Sequence, residues 1–230
     1  MTLEILKKYK IKAKKWLWQN FLVDNEIVEE IANTIDIKGK NIVEVWPGYW
    51  ALTEKLLNKK PKSLNLVELD TDMIDILEKR IDAWDFNLNW IDFKINNIDV
   101  LNYSYPIREG YSLIANIPYY ITSPILRHFI YDVDNMPEKM LILMQKDVWD
   151  KILLAKKEKK PRSSVLSLFI MKKFYVDEIL FVPKKSFIPA PKVESSVIYF
   201  ENHDLYKNLD DKLFLEIIKK WFKEPRKMLI

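Results

Sequence analysis

The stretch Asn41-Ile42-Val43-Glu44-Val45-Trp46-Pro47-Gly48-Tyr49-Trp50-Ala51-Leu52-Thr53 passes from a short apolar run through a turn into a helix-forming segment. Ser63-Leu64-Asn65-Leu66-Val67-Glu68 then repeats the apolar run and closes it with an acid. Strand, turn, helix, strand, acid is an arrangement that holds an adenosine group. Backbone N–H groups of the turn approach the ligand, and a carboxylate about 20 residues on takes the ribose hydroxyls. With Gly48 as its one glycine, this turn on its own reads more readily as a plain strand-to-helix connection.

Outward from this unit the alternation continues. Apolar residues at helix spacing, Ile27, Ile31, Ala32 and Ile35, precede it within Glu26 to Ile35. After it come an amphipathic stretch (Asp72 to Ala83), a strand (Phe93 to Ile95) and Leu113-Ile114-Ala115 running into Asn116-Ile117-Pro118-Tyr119-Tyr120. Helix signals over Pro124 to Tyr131, a strand at Met140 to Met144 and a charged helix from Lys146 to Lys157 follow. Strands alternating with helices predict crossover units and a mostly parallel sheet. From Ser164 the pattern becomes a helix, a strand at Tyr175 to Val182, a proline-punctuated loop and a strand at Ser195 to Phe200, an antiparallel pair closing the sheet edge. A polar link over Asn202 to Asp211 leads to a helix from Leu213 to Phe222.

The 230 residues, 49% hydrophobic and 30% charged, are those of a folded chain rather than a disordered one. The absence of Cys excludes disulfides, a thiolate nucleophile and Cys-ligated zinc, and two His leave little for a metal site, so no metal is expected. No apolar run approaches the ~20 residues that span a bilayer, and a cytoplasmic chain without a membrane partner is expected. The net charge of +4 is concentrated at Lys7 to Lys15, Lys156 to Arg162 and Lys219 to Lys227. These are either solvated faces or a nucleic-acid footprint.

Asn116-Ile117-Pro118-Tyr119, directly after a strand, resembles the motif of amino-group methyltransferases, Asn or Asp followed by any residue, Pro and an aromatic. An exocyclic amine has its lone pair delocalised into the ring. Two acceptors, the Asn116 amide oxygen and the Ile117 carbonyl, would hold it for transfer. Pro118 stiffens the turn, and Tyr119 offers a face for a flipped base. Asp99, just past the third strand and followed by Val100, could take an adenine amine or cap a turn.

Six collinear stretches are similar to the KsgA (RsmA) family of ribosomal RNA adenine dimethyltransferases. They are Gln19-Asn20-Phe21-Leu22, Glu44 to Gly48 with Leu52-Thr53, Glu68-Leu69-Asp70, Ala115 to Thr122, Met144 to Val148, and Phe187 to Val197. The resemblance implies an α/β, Rossmann-like class I methyltransferase fold, a seven-stranded mostly parallel sheet with helices on both faces, over residues 1–201. Residues 202–230 would begin a helical C-terminal domain, here truncated. The implied reaction is S-adenosylmethionine-dependent N6,N6-dimethylation of two adjacent adenines in the 3′-terminal hairpin loop of 16S rRNA, on a 30S assembly intermediate, by a monomer. Asn20 and Leu22 would close over the cofactor, Trp46 and Gly48 meet its methionine end, Glu68 its ribose, and Asp99 with Val100 its adenine. Asn116, Ile117, Pro118 and Tyr119 would hold the target base, and Phe187 would help sandwich it. The macrolide-resistance type of 23S rRNA methyltransferase shares several of these motifs and ranks second, because Met144-Gln145-Lys146-Asp147-Val148 looks more like the small-subunit enzymes.

Trp occupies places where that family has glycine or a small residue: Trp18, Trp46, Trp50, Trp149 and Trp221. Two indoles in the 46–50 turn are expected to fill the cofactor's space. Three Gly in 230 residues is far below the usual ~7%, whereas Gly and Trp together number eleven, an ordinary glycine share. Either the chain is a catalytically dead RNA-binding or assembly homologue, or a codon such as UGA, read as Trp in some codes and as Gly in others, stands at these places.

Overall fold

The structure, a computed structural model, describes residues 2–83, 88, 90–106, 109–157, 165–203 and 205–223. For residues 2, 3, 15, 119, 151 and 153–157 only the backbone is described. Nine strands are present among these residues: β1 (Phe21–Leu22), β2 (Asn41–Val45), β3 (Ser63–Glu68), β4 (Asp92–Asn97), β5 (Tyr111–Asn116), β6 (Lys139–Gln145), β7 (Phe174–Val182), β8 (Phe187–Ile188) and β9 (Ser195–Asn202). The α-helices are α1 (Thr2–Lys8), α2 (Asn25–Asn33), α3 (Ala51–Asn58), α4 (Thr71–Asp82), α5 (Thr122–Arg127), α6 (Lys146–Lys157), α7 (Val165–Met171) and α8 (Asp211–Lys223).

Seven strands form one sheet in the order β4-β3-β2-β5-β6-β9-β7. The first five are parallel, and β9 runs antiparallel to both β6 and β7. β2, β3 and the first five residues of β5 are buried throughout, as strands covered by helices on both faces must be. Edge strand β4 has no fully buried residue, and the other edge, β7, buries every second residue over its first half. Successive side chains feed two cores. Val43 and Val45 join Phe129, Ile142 and Phe200 on one side, while Ile42, Leu64 and Leu66 join Leu56, Leu141 and Phe187 on the other.

Capping fixes the helices near the carboxyl ends of the parallel strands. Asp24 accepts from the N–H groups of Glu26 and Ile27 to start α2, whose buried face is Ile27, Val28, Ile31 and Ala32. Asp70 accepts from Asp72 N–H to start α4. Pro124 lies in the first turn of α5, where its missing N–H costs no helical bond. A π-helical turn, His128–Asp132, follows that helix.

Two elements were not visible in the sequence reading: α1, and the ribbon in which β1 pairs antiparallel with β8 across more than 160 residues. β4 and β5 are also longer than their apolar cores suggested. α8 docks on α7 through buried Ile218, with Lys172 donating to the Leu209 carbonyl at 2.6 Å and pairing with Asp211. The side chains of 156–162 and all of 224–230, parts of two predicted basic clusters, lie outside the described residues. No helix among the described residues is long and apolar enough to cross a membrane.

Candidate active site

The chain leaves β2 toward β3 on one side and later enters β5 on the other, so a crevice opens at the carboxyl ends of β2 and β5. Parallel register then aligns the site. Val45 lies opposite Val67 and Ala115, which puts Trp46, Glu68 and Asn116 at one level. One cleft is walled by Asn20, Leu22, Trp46, Gly48, Glu68, Asp99, Asn116, Ile117, Pro118 and Phe187.

The acceptors in this cleft are distinct. Glu68 is buried, and its carboxylate accepts from Asp70 N–H at 2.8 Å. Burial pushes its carboxyl up to about 7, while N–H groups of Asp70, Leu69 and Gly48 pull it partly back. Asp99 caps a 3-10 turn, accepting from Leu101 N–H at 3.0 Å through Oδ1. It is thus the turn cap that its position suggested, and it also lines the cleft. Asn116 ends β5, and Ile117 N–H donates to the Leu143 carbonyl at 3.2 Å. Within the described residues neither the Asn116 carboxamide nor the Ile117 carbonyl makes a hydrogen bond of its own.

The N-terminal segment is latched over the turn. Lys14 Nζ lies 2.6 Å from both Asp70 and Asp72, and Gln19 donates to Asp70 at 2.8 Å. Asn20 folds back to donate to the Trp18 carbonyl at 3.1 Å. Phe21 covers Gly48, where a Cβ would lie 3.4 Å from the Phe21 ring. Its ring meets Tyr49 edge-on, and the Tyr49 hydroxyl donates to the Leu22 carbonyl. The Ser186 hydroxyl, just before β8, donates to Asp24 at 3.0 Å.

Some expectations need correction. The Val100 side chain is buried with Val43 and Val67 in the core, which leaves its backbone for the contact expected of it. Trp50 does not fill the cofactor's space. It is wholly buried behind the turn, with the Arg80 guanidinium 5.9 Å from its ring. Trp46 does line the cleft, and Trp18 stands exposed at its edge, 6.4 Å from the Tyr120 ring. Trp149 sits comfortably as an indole, buried in α6 with Nε1 donating to Glu178 at 3.0 Å. Phe187 reaches the cleft but is largely packed into the core. The Tyr119 side chain lies outside the described residues.

Sequence reasoning missed Glu44 as a site residue. It lines the cleft, wholly buried, and neither carboxylate oxygen has a hydrogen-bond partner. Burial raises its carboxyl to about 8; the neighbouring Thr53 hydroxyl offsets this only in part, and the Glu68 charge adds to it. The signal was its place in β2, where a charged residue interrupts an all-apolar buried strand. Tyr120, exposed at the cleft wall, was also passed over.

This architecture and site agree with known proteins. A family model described as ribosomal RNA adenine dimethylase matches residues 10–230. The chain is 37% identical over 218 residues to ribosomal RNA small subunit methyltransferase A of Mycoplasma mobile, covering 94% of this chain and 81% of that protein. It is 35% identical to the protein of the same name from Listeria innocua, over 99% of this chain and 78% of the relative. Among solved structures, a dimethyladenosine transferase from Plasmodium falciparum superposes with a TM-score of 0.79 at 24% identity, covering 91% of this chain and 73% of that one. The 23S rRNA methyltransferase ErmE gives 0.72 at 21% identity, over 89% and 80%. Both share the class I methyltransferase fold found here. With the family model spanning nearly the whole chain and relatives this close over most of their length, the chain belongs to the ribosomal RNA adenine dimethylase family.

Proposed function

We propose that this protein dimethylates N6 of two adjacent adenines in the 3′-terminal hairpin loop of small-subunit rRNA, using S-adenosylmethionine. The observation that carries this reading is one cleft lined together by Asn116, Ile117, Glu68, Asp99 and Glu44, whose buried carboxylate oxygens have no hydrogen-bond partner. The cleft suits the cofactor's polarity: Glu68 for ribose hydroxyls, Asp99 for the adenine amine, and orphaned Glu44 as the anion for the amino-acid ammonium. When bound, S-adenosylmethionine supplies a sulfonium-activated methyl group.

The residues of this chain then position the reactants. Asn116 Oδ1 and the Ile117 carbonyl accept the two N6–H bonds and turn the amine's lone pair toward the methyl group. Pro118, with φ −59° and ψ 137°, keeps those acceptors in place. Tyr120, with Trp18 near it, lies at the cleft's exposed edge, where a flipped base would enter. Orientation supplies most of the acceleration, and the same site accepts the monomethylated amine for a second transfer.

Small-subunit specificity is supported by the relatives named above. The 23S type remains the second reading, supported by fold alone. We further propose that the enzyme acts as a monomer on a cytoplasmic 30S assembly intermediate. Residues 1–201 would form the catalytic domain and 202–230 open a helical unit, for which the exposed Leu213, Ile217 and Trp221 of α8 provide an apolar face. The test is methyl incorporation into undermethylated 30S particles against 50S particles, with dimethyladenosine read by mass spectrometry of nucleosides. Asn116→Ala should cut turnover roughly 100-fold while RNA affinity stays within about threefold. Equal loss of both would remove the role given to Asn116.

A further inference from the structure

We infer that positions 18, 46 and 50 carry glycine in the protein as its own cells make it, and that the cofactor turn is a run of alternating glycines. The backbone leads to this. Five non-glycine residues among those described have left-handed φ, and three are Trp, although only eight of 230 residues are Trp. The two others, Lys10 and Lys60, follow the ends of α1 and α3, where a left-handed residue commonly closes a helix. Trp46 (φ 52°), Gly48 (φ 57°) and Trp50 (φ 69°) instead alternate through one turn, and Trp18 (φ 53°) adjoins it across the cleft. A bulky side chain resists this region and glycine does not.

Side-chain placement agrees independently. Trp50 Nε1 is buried without a hydrogen-bond partner, a loss that glycine would not incur. Trp16, Trp18, Trp90 and Trp221 are each more than half exposed, which is unusual for an indole. Trp149, by contrast, has normal helical backbone and a hydrogen-bonded ring, and nothing in its geometry asks for glycine. Scarcity of glycine completes the picture: three in the whole chain. One codon read as Trp in one genetic code and as Gly in another, UGA, accounts for all three positions.

The consequence for the proposed reaction is direct. Glycine at 46 removes the indole from the cleft wall and lets the turn's N–H groups approach a bound adenosyl ligand; this part rests on the function proposed above. The experiment is peptide mass spectrometry of the protein purified from its natural source, read with the codons at 18, 46 and 50. Peptides lighter by the indolylmethyl group at each position are expected; peptides carrying Trp overturn the inference. Alongside, a W18G/W46G/W50G variant is compared with the Trp form for binding of S-adenosylhomocysteine. The glycine form should bind at least tenfold more tightly. Glycine masses with no binding by the glycine form would uphold the decoding and sink the cofactor reading instead.

Discussion

At the residue scale, Glu68 couples the site to pH. Burial holds its free carboxyl near 7, well above the ordinary 4.5. In the function proposed above, ribose hydroxyls would donate to the ionised form, so ligand binding would favour the carboxylate and compete with its protonation. Affinity for S-adenosylhomocysteine should fall as pH drops through about 8, where Glu44 takes up a proton, and further through 7, where Glu68 adds up to about tenfold per unit. Titration calorimetry from pH 5.5 to 8.5 checks this, and Glu68→Gln should bind weakly with the slope from this group removed. A slope unchanged in that variant would assign the titration elsewhere. Backbone sets the opposing tension at this scale. Three left-handed tryptophans cost roughly 1–2 kcal/mol each, concentrated around the turn that the ligand must approach.

At the element scale, the N-terminal segment is held by polar latches as well as by Ile5, Leu6, Ile11 and Ala13 packed against the core. Lys14 bridges Asp70 and Asp72, and Gln19 adds a second bond to the fully buried Asp70 carboxylate. Asp70 in turn caps α4, so the cover of the turn and the start of a helix share one side chain. Lys14→Met should weaken binding of S-adenosylhomocysteine by roughly fivefold or more, while melting shifts by less than about 3 °C, since partly exposed ion pairs contribute little to global stability. Unchanged affinity would show that the segment is not part of the site. Most strands and helices were readable because each is a local pattern. Buried strands β2 and β3 are short stretches dominated by Ile, Val and Leu, and α2 shows its stripe at helical spacing. The ribbon of β1 with β8 was not readable, because two residues per strand carry no periodicity and their pairing spans the chain. Glu44 stayed hidden for a different reason: its chemistry depends on burial, which spacing alone does not reveal.

At the scale of the whole molecule, acceptors line the cofactor cleft, while much of the positive charge lies in the N-terminal run of lysines and elsewhere on the chain. RNA affinity should therefore fall by roughly tenfold or more between 50 and 200 mM salt, whereas affinity for S-adenosylhomocysteine changes little. Filter binding and calorimetry on the same preparation separate the two, and parallel slopes would contradict the division. The residue types of the site were legible in sequence because Glu68 and Asn116 end strands and Ile117, Pro118 and Asp99 follow strand ends closely, and strand ends converge in this topology. What a linear reading could not supply was which aromatic groups face the cleft: Trp46 does, whereas Trp50 turns into the core. The pairing of β1 with β8, and the place of β9 between β6 and β7, also set a timetable for biosynthesis. A chain growing from the ribosome makes β2, β3 and β5 early, yet the cover over its turn closes only after Ile188 emerges, and β7 has no sheet neighbour until β9 follows it. The cover of the turn is thus among the last contacts of these strands to form, long after the strands that carry Trp46, Glu68 and Asn116 have been made.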